Sequence, residues 1–262
     1  MHPQLFEVGG HIIHTYGVMI GSAMFVGLLL AARTARRERV SVDLIWDVGI
    51  VIMLSAILGS RAEYVRTRWS YFAEHPREIL VFADGGLVFY GGLILCFITV
   101  VGYLTWRKAP VLRFLDVLCP SLAIGHAMGR FGCLMAGCCY GAPTDLWWGI
   151  EFPHGSRAPS GISLHPTQLN EVAFDASQGL LLLAYVPLRP GRRIALYLLT
   201  YPVFRAFNET LRGDAIRGYA FGGVTNGMLI SAMLFALGAG IAWKAWGDEP
   251  ISGTPSLPGT AP

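Results

Sequence analysis

The chain has 262 residues, of which 53% are hydrophobic and 14% charged, with a mean hydropathy of +0.50. A soluble domain carries about a quarter charged residues, and a core of this size cannot hide so much apolar surface, which excludes a cytosolic globular enzyme, a disordered chain and a disulfide-stapled secreted module. The net charge of +3 comes from 18 Arg and 2 Lys against 17 acids, and no soluble basic face accompanies it, so nucleic acid is not an expected partner, whereas Arg suits forked recognition of lipid phosphate.

The first residues, MHPQLFEVGGHIIHTYG, carry no basic stretch ahead of the apolar run, so they do not read as a cleavable signal peptide. Apolar runs of the length needed to cross a bilayer fall at 14–32, 44–64, 87–106, 112–128, 172–187, 194–205 and 227–246. They come as long blocks and not in alternation, which sets aside an outer-membrane barrel. The expectation is an all-α, polytopic membrane bundle of about seven helices, a single domain over 1–247. A tail at 248–262, rich in Pro, Gly, Ser and Thr, is expected to be disordered.

Basic residues cluster after alternate spans. Arg33, Arg36, Arg37 and Arg39 follow the first, Arg107, Lys108 and Arg113 the third, Arg189, Arg192 and Arg193 the fifth, and Lys244 ends the seventh. The positive-inside rule then places the N-terminus outside and the C-terminus in the cytoplasm. Nine Arg fall on the outward side: Arg61, Arg66, Arg68, Arg77, Arg130, Arg157, Arg205, Arg212 and Arg217. Acidic neighbours suggest loop ion pairs for Arg61 with Glu63, Arg77 with Glu78, and Arg212 with Glu209 and Asp214. Arg130 and Arg205 end apolar segments with no acid within three residues, which makes them functional candidates.

Four stretches carry chemistry. Residues 125–149 hold glycines at 125, 129, 132, 137, 141 and 149, a density expected to break the helix and line a cavity around Arg130; a packing face between helices is the alternative. Asp84-Gly85-Gly86 and Gly91-Gly92 flank an apolar patch containing Tyr90. Leu164-His165-Pro166-Thr167-Gln168-Leu169-Asn170-Glu171 places a proline where a helix opens, a position that favours an anion. Arg205, Glu209 and Arg212 recur at i, i+4 and i+7 on one helical face, where Glu209 either orients the two guanidiniums or neutralises them.

Together these elements resemble the bacterial prolipoprotein diacylglyceryl transferase family. Its signature, Gly-Arg-x-Gly-Asn-Phe-x-Asn-x-Glu-x-x-Gly, is read here as Gly129-Arg130-Phe131-Gly132-Cys133-Leu134-Met135-Ala136-Gly137-Cys138-Cys139-Tyr140-Gly141. Tyr16-Gly17, the Gly-Gly-Leu element, His-Pro-Thr-Gln-Leu and the Phe204–Arg212 face extend the likeness over nearly the whole chain. The resemblance implies transfer of the diacylglyceryl group of phosphatidylglycerol to the lipobox cysteine of a prolipoprotein signal peptide, with release of glycerol phosphate. It implies the outer face of the inner membrane, membrane lipids as neighbours, and neither cofactor nor metal.

The resemblance matches Arg130 and Arg205 to the family's essential arginines, expected to hold the lipid phosphate, and Tyr16 to its first-span tyrosine; Tyr16 and Tyr90 are expected to hydrogen-bond the headgroup or acceptor. Asp116 and Glu209 orient the arginines. Gly129, Gly132, Gly141, Arg212 and Cys133 belong to the binding surface. The chemistry agrees: negative charge moves from sulfur to phosphate, and fixed guanidiniums stabilise it there. A related transferase with another donor or acceptor, or a non-catalytic lipid-binding scaffold, are the rival readings.

The chain departs from the family at Tyr90, where the family has a His assigned as base, and tyrosine is a poor base at neutral pH. His126 and His165 are the substitutes. Thiols at Cys133 and Cys138 replace the family's Asn and Glu. For Cys133, Cys138 and Cys139 four readings stay open: small packing groups, a disulfide in the oxidising outer compartment, nucleophiles activated by Arg130, or metal ligands. Trp69, Tyr71, Trp147 and Trp148 read as an interfacial aromatic belt.

Overall fold

A computed structural model describes residues 3–9, 11–81, 86–185, 187, 189–214 and 218–247. Asp84, Gly85, Arg217 and the expected tail at 248–262 lie outside the described residues.

A short antiparallel hairpin, β1 (Gln4–Val8) and β2 (His11–His14), leads directly into α1 (Thr15–Arg37). This hairpin had no counterpart among the expected elements. Next come α2 (Val42–Thr67), the short α3 (Trp69–Glu74), a 3-10 turn at Pro76–Leu80, α4 (Phe89–Trp106) and α5 (Val111–Ala136). Two-residue strands β3 (Ile150–Glu151) and β4 (Ser163–Leu164) pair within the long connection to α6 (Thr167–Ala184). α7 (Arg192–Thr210), the hairpin β5 (Tyr219–Phe221) and β6 (Val224–Thr225), and α8 (Asn226–Gly247) complete the chain.

Among the described residues five helices, α1, α2, α4, α5 and α8, are long and apolar enough to cross a membrane. Large apolar side chains such as Phe25, Leu54, Ile98 and Met233 stand exposed on their outer faces, as a hydrocarbon environment requires. The chain is thus a multi-pass helical membrane protein. The fifth and sixth predicted spans are helices, α6 and α7, but buried charge keeps them below that apolar threshold. Glu171, Asp175, Arg193, Arg205 and Glu209 all point inward. Each of these charges is paired with an oppositely charged or ionisable side chain inside the bundle, where membrane-depth charge is tolerated.

The helices pack as α1 on α5, α2 on α4, α5 on α6, and α7 on α8. A tight apolar core joins the C-terminal ends of α1 and α4 to the N-terminal ends of α2 and α5, through Ala35, Ile45, Val48, Leu104, Phe114 and Val117. That end is held rigidly, and the polar cluster described next sits at the opposite end of α5.

The glycines of 125–132 do not break the helix: α5 runs unbroken to Ala136. They serve close packing instead. A Cβ on Gly132 would stand 3.0 Å from Met19 Cβ and 3.4 Å from Tyr16 Cδ2, so α1 lies against this face. The packing alternative is the one realised, as in membrane helices generally. The break comes at Gly137 (φ 70°), where the Gly137 N–H bonds to the Leu134 carbonyl (3.2 Å) and the Cys138 N–H to the Cys133 carbonyl (3.1 Å). This is a Schellman turn, and only glycine adopts its left-handed position freely.

Candidate functional site: a charge cluster shared by three helices

α5 presents His126 and Arg130, four residues apart and therefore on one face. α6 runs antiparallel to it and presents Glu171 and Asp175 at the same spacing. The two pairs meet rung by rung. Arg130 Nε lies 2.6 Å from Glu171 Oε2, and His126 Nδ1 lies 3.0 Å from Asp175 Oδ2. Arg130 Nε also donates to His126 Nε2 at 3.1 Å.

α7 closes the third side. Arg205 Nε lies 3.3 Å from Glu171 Oε1, so a single buried carboxylate bridges Arg130 and Arg205. Arg205 Nη1 pairs with Glu209 Oε2 at 2.6 Å, and the same oxygen reaches Arg212 Nη1 at 3.3 Å. Asp214 holds one edge of the Arg212 guanidinium in a fork, accepting from Nε at 2.8 Å and from Nη2 at 2.6 Å. Burial disfavours the charge of Arg212, but the Asp214 bonds and nearby anions outweigh it and hold its pKa above the ordinary arginine value.

The segment after the Schellman turn folds over this cluster. Thr167 Oγ1 donates to the Cys139 carbonyl and Gln168 Nε2 to the Cys138 carbonyl, each at 2.8 Å. Asn208 Nδ2 donates to the Thr167 carbonyl at 3.0 Å, tying the start of α6 to α7. Gly141 is the junction: its N–H donates to the His165 carbonyl (3.1 Å), and it bridges in antiparallel fashion to Arg212. A Cβ at Gly141 would overlap the His165 Cβ and carbonyl oxygen, so no other residue fits there.

The thiols of Cys133, Cys138 and Cys139 gather beside Arg130. Bonds from Cys133 and Cys138 hold the Cys139 thiol well below the usual thiol range; burial opposes this, while Arg130 and Arg212 add to it. At Cys138 a bond with Cys133 lowers the pKa, but the bond with Cys139 and burial outweigh it, and the thiol is pushed up to about 11.

Comparison with known proteins agrees with this arrangement in extent as well as kind. A model of the prolipoprotein diacylglyceryl transferase family matches residues 3–244. The chain belongs to this family. A Clostridium tetani protein named phosphatidylglycerol–prolipoprotein diacylglyceryl transferase is 37% identical over 216 residues, covering 82% of this chain and 86% of that protein. A protein of the same name from Parasynechococcus marenigrum is 34% identical over 260 residues, covering 92% and 93% respectively.

The family-derived expectations divide by position. Arg130, Arg205, Glu209 and Arg212 converge in one cluster, with Gly141 and the His165 backbone at its rim. Tyr16 stands in the first turn of α1 beside Gly132, and Gly129 lies one turn earlier on the same α5 face against Ile20. Asp116 does not orient the arginines. It stands fourteen residues before Arg130, roughly 20 Å along the helix at 1.5 Å per residue. Its carboxylate accepts from the Gly191 N–H (2.6 Å) and the Ile194 N–H (2.8 Å), capping α7. That cap is needed because α7 opens on Arg192 and Arg193, the wrong charge for a helix N-terminus, and Gly191 has no side chain to offer.

Tyr90 sits in the first turn of α4 with Phe89 as its ring partner, 5.8 Å between centroids. Its described ring contact is with Phe89, and α4 packs chiefly on α2, meeting α5 in the apolar core around Leu104, at the other end of the helix from Tyr90. Arg61 does not pair with Glu63. Its Nε donates to the Ile79 carbonyl (2.8 Å) and Nη2 to the Glu78 carbonyl (2.7 Å), while Glu63 pairs with Arg66 at 2.7 Å. Arg61 is buried under the 78–79 carbonyls, while Glu63, partly buried against Gly91 of α4, is taken by Arg66.

Glu171 and Asp175 are the residues that sequence reasoning left out of the site. A signal for them existed: two acids four residues apart in a helix with no basic residue of its own, following a long helix with a His and an Arg at the same spacing.

Proposed function

We propose that this chain moves the diacylglyceryl group of phosphatidylglycerol to the lipobox cysteine of prolipoprotein signal peptides, releasing glycerol phosphate. It is a membrane transferase of the prolipoprotein diacylglyceryl transferase family. The observation that carries the assignment of the site is the convergence of Arg130 and Arg205 on one buried carboxylate.

In this reading the cluster is a preorganised phosphate seat. Three guanidiniums face three carboxylates, Glu171, Glu209 and Asp214, so each donor is fixed before the lipid arrives. Fixed donors stabilise charge that develops on the departing phosphate without reorganising. The acceptor thiolate attacks a glyceryl carbon, the C–S bond forms as the C–O bond to phosphate breaks, and the electron pair leaves on the phosphate oxygen. Tyr16, exposed in the first turn of α1 beside Gly132, donates to the headgroup. Residues 1–247 act as one membrane domain, with the N-terminus outside, the C-terminus in the cytoplasm of a bacterial cell, and the charge cluster facing the outer leaflet.

The test uses membranes containing the full chain, labelled phosphatidylglycerol and a lipobox peptide. Label is expected on the peptide cysteine, and Arg130→Ala and Arg205→Ala are each expected to abolish it. Lipid bound at fixed stoichiometry with no label on the peptide rejects the reaction and favours a scaffold. Transfer that survives both substitutions unchanged rejects the site.

A further inference from the structure

The sulfur atoms of Cys133, Cys138 and Cys139 lie within 4.8 Å of one another. All five cysteines of the chain are free thiols. The cluster is built, not incidental. The Schellman turn carries Cys138 back over Cys133, and Cys139 is held at φ 60°. That left-handed conformation costs a non-glycine residue roughly 1 kcal/mol or more, so it persists only because Thr167 and Gln168 clamp the carbonyls of Cys139 and Cys138.

Zinc binds thiolates at about 2.3 Å in a tetrahedron, which sets sulfur–sulfur separations of about 3.8 Å. The trio, within 4.8 Å, lies within about 1 Å of that spacing. Among the described residues no fourth Cys, His, Asp or Glu joins the group. Three protein ligands leave the fourth position for water or substrate, the arrangement of catalytic and not structural zinc. Cys133 is buried, while Cys138 and Cys139 are partly exposed, so the group is open on one side. A zinc ion with three thiolates carries one net negative charge, and Arg130 and Arg212, whose charges act on Cys139, are placed to balance it.

We propose that Cys133, Cys138 and Cys139 hold a zinc ion whose open fourth position takes the thiolate of the acceptor cysteine. The proposal rests on the transferase reading above. An ordinary thiol is mostly protonated at neutral pH, with a pKa of about 8.5. The imidazole in the charge cluster, His126, is engaged at both ring nitrogens, by Asp175 and Arg130. Zinc ionises a coordinating thiol outright. The acceptor thiol loses its proton to water on binding. Its sulfur then forms the bond to the glyceryl carbon as the carbon–oxygen bond to phosphate breaks, and the oxygen keeps the electron pair. The product thioether is neutral, a weaker ligand than thiolate, and leaves the position free.

Cobalt(II) reports the site without any activity measurement. Added to the reduced, metal-free full chain in detergent, it is expected to give the thiolate charge-transfer and tetrahedral ligand-field bands, saturating near one ion per chain. Cys138→Ser with Cys139→Ser is expected to abolish the bands, and Cys96→Ser, remote in α4, to keep them. A lipobox peptide is expected to shift the ligand-field spectrum, and the same peptide with serine in place of cysteine to leave it unchanged. Absence of tetrahedral bands in the parent chain overturns the site, whatever the variants do. Bands unmoved by the cysteine peptide overturn the acceptor role. Transfer at full rate after zinc is stripped overturns the zinc step and leaves the transferase reading intact. Cobalt binding and a peptide shift with no transfer of labelled lipid support the metal site and overturn the transferase reading.

Discussion

Glu171→Gln is the sharpest test of the charge cluster. The carboxylate is 3% exposed and touches Arg130 at 2.6 Å and Arg205 at 3.3 Å. Glutamine keeps the shape but offers one oxygen, so it can accept from one guanidinium and must turn an N–H₂ toward the other. Breaking a buried ion pair by removing one partner costs about 3–5 kcal/mol. Glutamine's remaining acceptor recovers part of that, which leaves about 2–3 kcal/mol. If this loss falls on the transition state, the rate drops roughly 30- to 150-fold, at 1.36 kcal/mol per factor of ten. The sign of the binding effect is opposite. Three guanidiniums would then face two carboxylates, so the phosphate of the bound lipid is attracted more strongly. The expected result is a fall in kcat with KM for phosphatidylglycerol unchanged or lower. Steady-state transfer of labelled lipid to a lipobox peptide measures both. A kcat within threefold of the parent, in a variant that melts normally, would refute the claim that Glu171 aligns the two arginines.

Other substitutions separate chemistry from architecture. Arg130→Lys and Arg205→Lys keep the charge but lose the fork, and each is expected to lower transfer on the order of 10²-fold with normal expression. Asp116→Ala removes the cap of α7 beside the buried Arg193, which should cost about 2–4 kcal/mol of stability; the melting temperature in detergent should fall by several degrees while kcat below the transition stays at the parent value. Gly141→Ala forces apart the 140–142 and 163–165 segments, and is expected to raise protease sensitivity between residues 137 and 165 and to abolish transfer together. Tyr90→Phe, on a helix that does not pack on the cluster, is expected to change the transfer rate by less than about twofold, since a surface substitution away from such features is worth at most about 0.5 kcal/mol.

Hydropathy and charge placement by themselves determined that this is a helical membrane protein, because a bilayer leaves the backbone few other ways to satisfy its hydrogen bonds. They also drew attention to Arg130 and Arg205, since an arginine at the end of an apolar run is costly unless it is used. Tertiary structure decided the rest. Whether glycines 125–132 break a helix or pack against one depends on what lies opposite, and α1 lies opposite. The wrong placement of Asp116 had the same origin: a carboxylate's partner is set by which helix end it reaches, and Asp116 reaches the N-terminus of α7. Glu171 serves two arginines on two different helices, a relation that no spacing along the chain contains. The three thiols were visible as a run, but only the Schellman turn and the clamps from α6 bring their sulfurs onto one point.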